Sequence, residues 1–159
     1  MNYHIVERDA FQVVGVKHEF SCETQDIGIP GVPEFWESEG KRGTVDQLIP
    51  LINGEIKGLL GITENYNPEK STIDYWLAAE YSGEVPNEFS SFVYPASKWV
   101  VFEVKGRIPS AMINAWQYIY SEWFPSHEHI PAGLAPLEAY LDSDLHRENS
   151  MNEIWVAVK

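Results

Sequence analysis

Ser97-Lys98-Trp99-Val100-Val101-Phe102-Glu103-Val104-Lys105, then Pro109-Ser110 and Ala111 to Phe124, then Pro136-Leu137-Glu138-Ala139-Tyr140-Leu141, set the architecture of this chain. In the first segment Trp99, Val101, Glu103 and Lys105 alternate with Val100, Phe102 and Val104, a period of two that predicts a strand. Ala111 to Phe124 holds no Gly or Pro and spaces Ile113, Trp116, Tyr120 and Trp123 three and four apart, which predicts a helix. Pro109 and Ser110 open it. Trp123-Phe124-Pro125-Ser126 closes it, because proline cannot continue the hydrogen-bond ladder. Pro136–Leu141 and Glu153–Val158 predict two further strands, so the order is strand, helix, strand, strand.

Working outward, the N-terminal half repeats that order. Gln12 to Phe20 is β-branched and predicts a strand. Ile27-Gly28-Ile29-Pro30-Gly31-Val32-Pro33 is a loop by its Gly and Pro content, and a helix starts near Pro33, with Glu34 and Glu37 suited to the positive end of its dipole. Thr44 to Leu51 is a second helical piece, with Thr44 placed to cap it. Gly58 to Ile62 reads as a buried strand, Asn65 to Lys70 as a turn, and Thr72 to Tyr81 as the antiparallel partner. In that partner Asp74, Trp76, Ala78 and Glu80 share one face, and Ile73, Tyr75, Leu77, Ala79 and Tyr81 the other. Ser82 to Ser91 is a connector. The expectation is an α+β fold in one domain, residues 1–159, made of duplicated strand-helix-strand-strand units at about 1–85 and 92–159. Related by a pseudo-twofold axis, their strands form one antiparallel sheet, or two abutting sheets, with two main helices on one side and a central groove between them. No sequence repeat at a fixed spacing accompanies the repeated element order.

Composition narrows the function. A chain of 159 residues with 44% hydrophobic content builds one core, and 11 basic against 24 acidic residues give a net charge of −13. Such a surface repels phosphate backbones and anionic lipid, so direct nucleic-acid and membrane binding are not expected, whereas cationic small molecules are attracted. Cys22 is the sole cysteine, which rules out an intramolecular disulfide and suits a reducing cytoplasm. The start, Met1 to Arg8, lacks a basic leader followed by an apolar run, and no stretch of ~18 apolar residues is present, so a cytoplasmic location is expected. No cofactor is expected either: Gly54, Gly58 and Gly61 miss the nucleotide fingerprints. His127-Glu128-His129 has no third ligand at a diagnostic spacing for a metal. No nucleophile elbow marks a serine hydrolase.

The unusual feature is aromatic: six tryptophans, eight tyrosines and seven phenylalanines. Aromatic faces hold flat or cationic ligands as well as filling cores. Against that background Glu138 stands mid-strand in an apolar stretch, sharing a face with Tyr140. Either Leu137, Ala139 and Leu141 form the core side and Glu138 is solvated, or Glu138 forms the floor of an aromatic pocket. There an unpaired carboxylate takes up a proton or seeks a cation.

The run Ala115-Trp116-Gln117-Tyr118-Ile119-Tyr120-Ser121-Glu122-Trp123-Phe124-Pro125-Ser126, the strand Pro136-Leu137-Glu138-Ala139-Tyr140 and the closing Asn152-Glu153-Ile154-Trp155-Val156 resemble the GyrI-like small-molecule-binding domain, the effector-binding module of multidrug-responsive transcription regulators. Weaker matches at Ile29-Pro30 through Phe35-Trp36, Gly58 to Ile62 and Ile73 to Glu80 extend the resemblance over essentially the whole chain. It implies a duplicated fold whose groove takes organic, often cationic, amphipathic molecules between aromatic walls, with Glu138 receiving the ligand's positive charge. Two positions depart from the family pattern: Ala78 where a glycine is usual, and Ala157 where a proline is usual.

Wall candidates around Glu138 are Trp155, Trp76, Trp36, Tyr120, Trp123, Tyr75 and Tyr140. Trp116 and Ile113 are assigned to the core. Trp123 fits equally a role packing the helix end onto the sheet. Trp155 points opposite to Ile154, Val156 and Val158, and Tyr75 competes with Trp76, because only one sheet face carries the groove. The leading expectation is a small-molecule-binding domain for amphipathic, aromatic or cationic compounds, whose regulatory output requires a separate protein partner. The alternatives are a hydrolase of strained electrophiles with Glu138 as general acid or base, and an interaction protein that modulates DNA gyrase.

Overall fold

A computed structural model of the chain describes residues 1–22 and 29–159, so Ile27 and Gly28 of the expected loop lie outside the described residues. Eight strands are present: β1 (Tyr3–Arg8), β2 (Phe11–Ser21), β3 (Leu59–Asn67), β4 (Thr72–Glu80), β5 (Ser90–Tyr94), β6 (Ser97–Lys105), β7 (Leu137–Tyr140) and β8 (Met151–Val158). They form a single antiparallel sheet in the order β1-β6-β8-β7-β3-β4-β2-β5. Exchanging β1 with β5, β2 with β6, β3 with β7 and β4 with β8 gives the same order read from the other edge. A pseudo-twofold axis therefore runs through the β3–β7 seam, where Gly61 pairs with Glu138.

The sequence reading leaves out β1 and β5, and these strands join the two halves. β1 opens the first unit but pairs with β6 of the second, Tyr3 opposite Phe102, while β5 pairs back onto β2. Partners so distant along the chain give no local signal. The turn expected at Asn65–Lys70 is also shorter: β3 runs on to Asn67 through a register shift, with Asn65 at φ 56.

Only Asp9 and Ala10 separate β1 from β2, although the two strands belong to opposite ends of the sheet. The sheet must therefore curl until its ends meet, and its concave face closes on a core with no helix in it, including Leu60, Ile62, Trp76, Trp99, Leu137 and Trp155. Arg8 fastens the closure. Its guanidinium donates to both oxygens of Glu80 at 2.9 and 2.7 Å, reaches Glu55 at 3.0 Å and lies 3.9 Å over the Phe11 ring.

The helices cover the convex face. Helix α1 (Val32–Lys41) and helix α2 (Thr44–Leu48), which runs into a 3₁₀ turn at Ile49–Leu51, pack Phe35, Trp36 and Leu48 near Val14, Leu77 and Ala79. Thr44 does not cap α2. Gly43, at φ 88, makes the entry, and the Thr44 hydroxyl instead donates to buried Glu39 at 2.8 Å. Helix α3 (Ser110–Tyr118) continues through a π-helical turn at Ile119–Trp123 and one more turn at Phe124–Ser126. It ends at Ser126, one residue past Pro125 and within the Trp123–Ser126 stop read from the sequence. Met112, Ala115, Ile119 and Trp123 face the sheet and bury Phe102, Ile154 and Val156. No helix among the described residues is long and apolar enough to cross a membrane.

Candidate functional site

The two helical layers leave a gap above the β3–β7 seam. It is a cavity of about 770 Å³, walled by the first turn of α1 on one side and by α3 on the other, with Gly61, Thr63, Glu138 and Tyr140 from the seam among its lining. That volume suits a drug-sized organic molecule. Among the described residues that line it none is Lys, Arg or His, and the carboxylates are Glu138 and the exposed Glu34.

Strand alternation puts Glu138 there. Its cross-strand partners are Gly61 and Ile154, so it shares the convex face with the α3 core, while Leu137 and Ala139 are fully buried on the concave side. Both alternatives from the sequence thus hold in part: Leu137 and Ala139 are core, but Leu141, just past the end of β7, is exposed, and Glu138 is half-buried and borders the cavity. Gly61 makes the arrangement possible. A Cβ at that position would collide with the Tyr75 hydroxyl and stand 3.2 Å from Glu138 Oε1.

The carboxylate is held by neutral donors alone. Trp116 Nε1 donates to Oε2 at 2.8 Å, and the Tyr140 hydroxyl donates to Oε1 at 2.9 Å. Burial pushes the Glu138 carboxyl above the usual carboxylate range, and these two bonds oppose that rise. The same enclosure, followed by the nearby Glu138 charge, pushes the Tyr75 and Tyr140 phenols upward, so both stay protonated. No cation answers Glu138: it takes part in no salt bridge among the described residues. The hydrogen bonds orient the negative charge without neutralising it.

Of the wall candidates, Glu138, Tyr75, Tyr120 and Tyr140 meet at this cavity. Trp76 and Trp155 do not. They stand on the concave face, where Trp76 pairs with Ile62 and Trp155 with Leu137, and their indoles donate to Glu64 at 2.6 Å and Glu153 at 3.0 Å. Trp123 is 1% exposed and packs the helix onto Phe102, the structural one of its two readings. Trp36 sits outside the cavity lining, donating from behind to the Tyr75 hydroxyl at 2.8 Å.

Conversely, Trp116 and Ile113, assigned to the core from sequence, line the cavity. The stripe from Met112 through Ala115 and Ile119 to Trp123 already covers the sheet, which turns Ile113, Trp116 and Tyr120 toward the gap. Trp116 and Tyr120 are parallel within 6° at 5.7 Å, a flat aromatic wall. Two overlapping apolar stripes on one helix were the signal in the sequence that a helix faces both a core and a hollow.

The fold is shared with several solved structures. The solved structure of SAV2435 bound to tetraphenylphosphonium superposes with a TM-score of 0.86 at 22% identity, covering 100% of this chain and 94% of that one. A transcription-regulation protein from Staphylococcus aureus MU50 gives 0.79 at 23% identity, covering 100% and 99%. An integron cassette protein from Vibrio cholerae gives 0.67 at 17%, covering 99% and 95%. No curated protein matches in sequence. The family model for the integron-associated effector-binding protein Cass2 matches residues 4–158, nearly the whole chain, and the chain belongs to that small-molecule effector-binding family within the GyrI-like superfamily.

Proposed function

We propose that the cavity captures amphipathic aromatic cations, with Glu138 as the ligand's counter-charge and Trp116, Tyr120, Tyr75 and Tyr140 as the surrounding aromatic surface, in the service of xenobiotic sensing or protection. The observation that carries this reading is the state of Glu138: a half-buried carboxylate, fixed by two neutral donors, with no cation among the described residues that line its cavity. A lipophilic cation entering there supplies the missing charge, and each ring it stacks on adds ~0.5 to 2 kcal/mol. SAV2435, similar in fold, is described as bound to tetraphenylphosphonium, a ligand of this kind.

Trp116 makes the test direct, since a wall tryptophan reports occupancy. Titration with tetraphenylphosphonium is expected to quench tryptophan fluorescence saturably at micromolar concentrations. Absence of quenching across a panel of lipophilic cations at high micromolar concentration contradicts the reading.

A second reading uses the same carboxylate as a general acid or base in hydrolysing strained electrophiles, favoured by its raised pKa and its contact with Tyr140. Mass spectrometry of bound compounds after incubation separates the two. Turnover by the wild type that disappears in Glu138→Gln supports hydrolysis, and recovery of intact ligand from both supports capture.

A further inference from the structure

Trp36 contacts both tyrosines that bear on the carboxylate while remaining outside the cavity lining. Its indole N–H donates to the Tyr75 hydroxyl at 2.8 Å, and its ring meets the Tyr140 ring edge-on, 5.2 Å between centroids at 75°. Tyr140 passes its own hydroxyl proton toward Glu138 Oε1 at 2.9 Å. The Tyr75 hydroxyl occupies the space over Gly61 that a side chain would fill, beside Glu138 Oε1 and within reach of the Tyr140 hydroxyl. One uncharged side chain on α1 is therefore linked to the carboxylate through two phenols on two different strands.

We propose that Trp36 is a positioning residue for the ligand's counter-charge: from behind the cavity wall it fixes the Tyr75 hydroxyl beside Tyr140 and the Tyr140 hydroxyl on Glu138, and so holds the carboxylate oriented and ionised for a cation. The inference rests on the counter-charge role proposed above. A hydroxyl that accepts a hydrogen bond becomes a better donor onward, by ~10 to 30% per bond. The indole N–H strengthens the first hydroxyl in this way, and the edge-on ring contact fixes the second phenol where its hydroxyl meets Oε1. Trp36 has no charge and no cavity surface, so its influence on a ligand passes through the tyrosines alone.

This role has a signature that a wall or packing role lacks. Among the described residues, the titratable groups bordering the Glu138 cavity are Tyr75 on β4, Tyr140 on β7, Tyr120 on α3 and Glu34 on α1. Burial shifts the three phenols upward, away from the acid range, and Glu34→Gln removes the other carboxylate. The acid limb of cation binding then reports Glu138.

The experiment measures the Kd of tetraphenylphosphonium from pH 4 to 9 for Trp36→Phe, Tyr75→Phe and the unsubstituted protein, each with and without Glu34→Gln. Circular dichroism verifies the fold. Weakening the relay disfavours the ionised carboxylate, so the acid midpoint of Trp36→Phe is expected to rise by about half a pH unit. Affinity at pH 9 is expected to stay within about twofold. Tyr75→Phe breaks the next link and is expected to move the midpoint the same way; if Trp36→Phe does not fold, this variant decides. A uniform loss of affinity at every pH, or an unmoved midpoint, overturns the proposal. Failure of the underlying reading looks different: binding by the unsubstituted protein then shows no acid limb, and Glu138→Gln binds as tightly.

Discussion

Glu80 and Glu138 are both enclosed carboxylates, one on each face of the same sheet, and their surroundings are opposite in kind. At Glu80 burial would raise the pKa, but hydrogen bonds from Arg8, the Ile56 amide and the Arg8 charge outweigh it, and the carboxyl lies below its ordinary value. Both oxygens receive the guanidinium, and the Glu55 and Ile56 amides add further donors at 3.2 Å each. At Glu138 burial wins over two neutral donors, and the carboxyl lies above its ordinary value. The first site is complete within the chain and ties β1 to β4 where the sheet closes. The second is satisfied in hydrogen bonds and has no cationic partner among the described residues, the contrast on which the proposed cation-binding role rests.

The sharpest way to break that contrast is at Arg8. Arg8→Met leaves Glu80 buried without its cation and is expected to lower stability by ~3 to 5 kcal/mol, measured by urea unfolding. Replacing Glu80 as well, with Leu, is expected to recover most of the loss. A loss below about 1 kcal/mol from Arg8→Met would mean that the pair does not hold the sheet closed.

Glu138→Gln is expected to act with the opposite sign on stability. The folded protein retains a proton on Glu138 that the unfolded chain has released, so this group lowers stability as pH rises from the ordinary carboxylate value through the raised one, and the loss persists above it. Glu80 does the reverse: its contribution is present above the ordinary value and is lost as pH falls through its depressed one. Thermal unfolding of Glu138→Gln at neutral pH is therefore expected at or above the wild-type temperature, whereas Glu80→Gln unfolds lower. A Glu138→Gln variant that is markedly less stable at neutral pH would show its carboxylate to be structural.

The smallest expected effect is at the cavity mouth. Tyr120 is 51% exposed and stacks on Trp116, so Tyr120→Ala removes one ring from the wall and leaves the core untouched. Cation affinity is expected to fall by ~0.5 to 1 kcal/mol in a binding titration, with the unfolding temperature unchanged. No change in affinity would place the ligand deeper, against Tyr75 and Tyr140 alone.

The alternation in Thr72–Glu80 was legible because a strand has a fixed period, and the structure puts Trp76 and Ala78 in one core and Leu77 and Ala79 in another, as the sequence divides them. Which face carries the cavity was not legible. A sheet that curls onto itself buries its concave side as thoroughly as helices bury its convex side, so Trp76 and Tyr75 are equally apolar neighbours with equal claims. Trp155 suffers the same ambiguity, and Trp116 the reverse one, because its place opposite Glu138 depends on how α3 is rotated over the seam. Glu138 itself was legible for a simple reason: a charged residue inside a four-residue strand flanked by Leu137 and Ala139 needs an explanation on either face.

The most direct measurement is charge discrimination by calorimetry, comparing tetraphenylphosphonium with the uncharged triphenylphosphine oxide on wild type and Glu138→Gln. An uncompensated carboxylate predicts that the wild type prefers the cation by roughly thirtyfold, ~2 kcal/mol, and that Glu138→Gln loses most of this preference while still binding the neutral compound. An equal preference for the cation in both proteins would contradict the account, because the selectivity would then come from the aromatic rings and the net acidity of the surface, with no part played by Glu138.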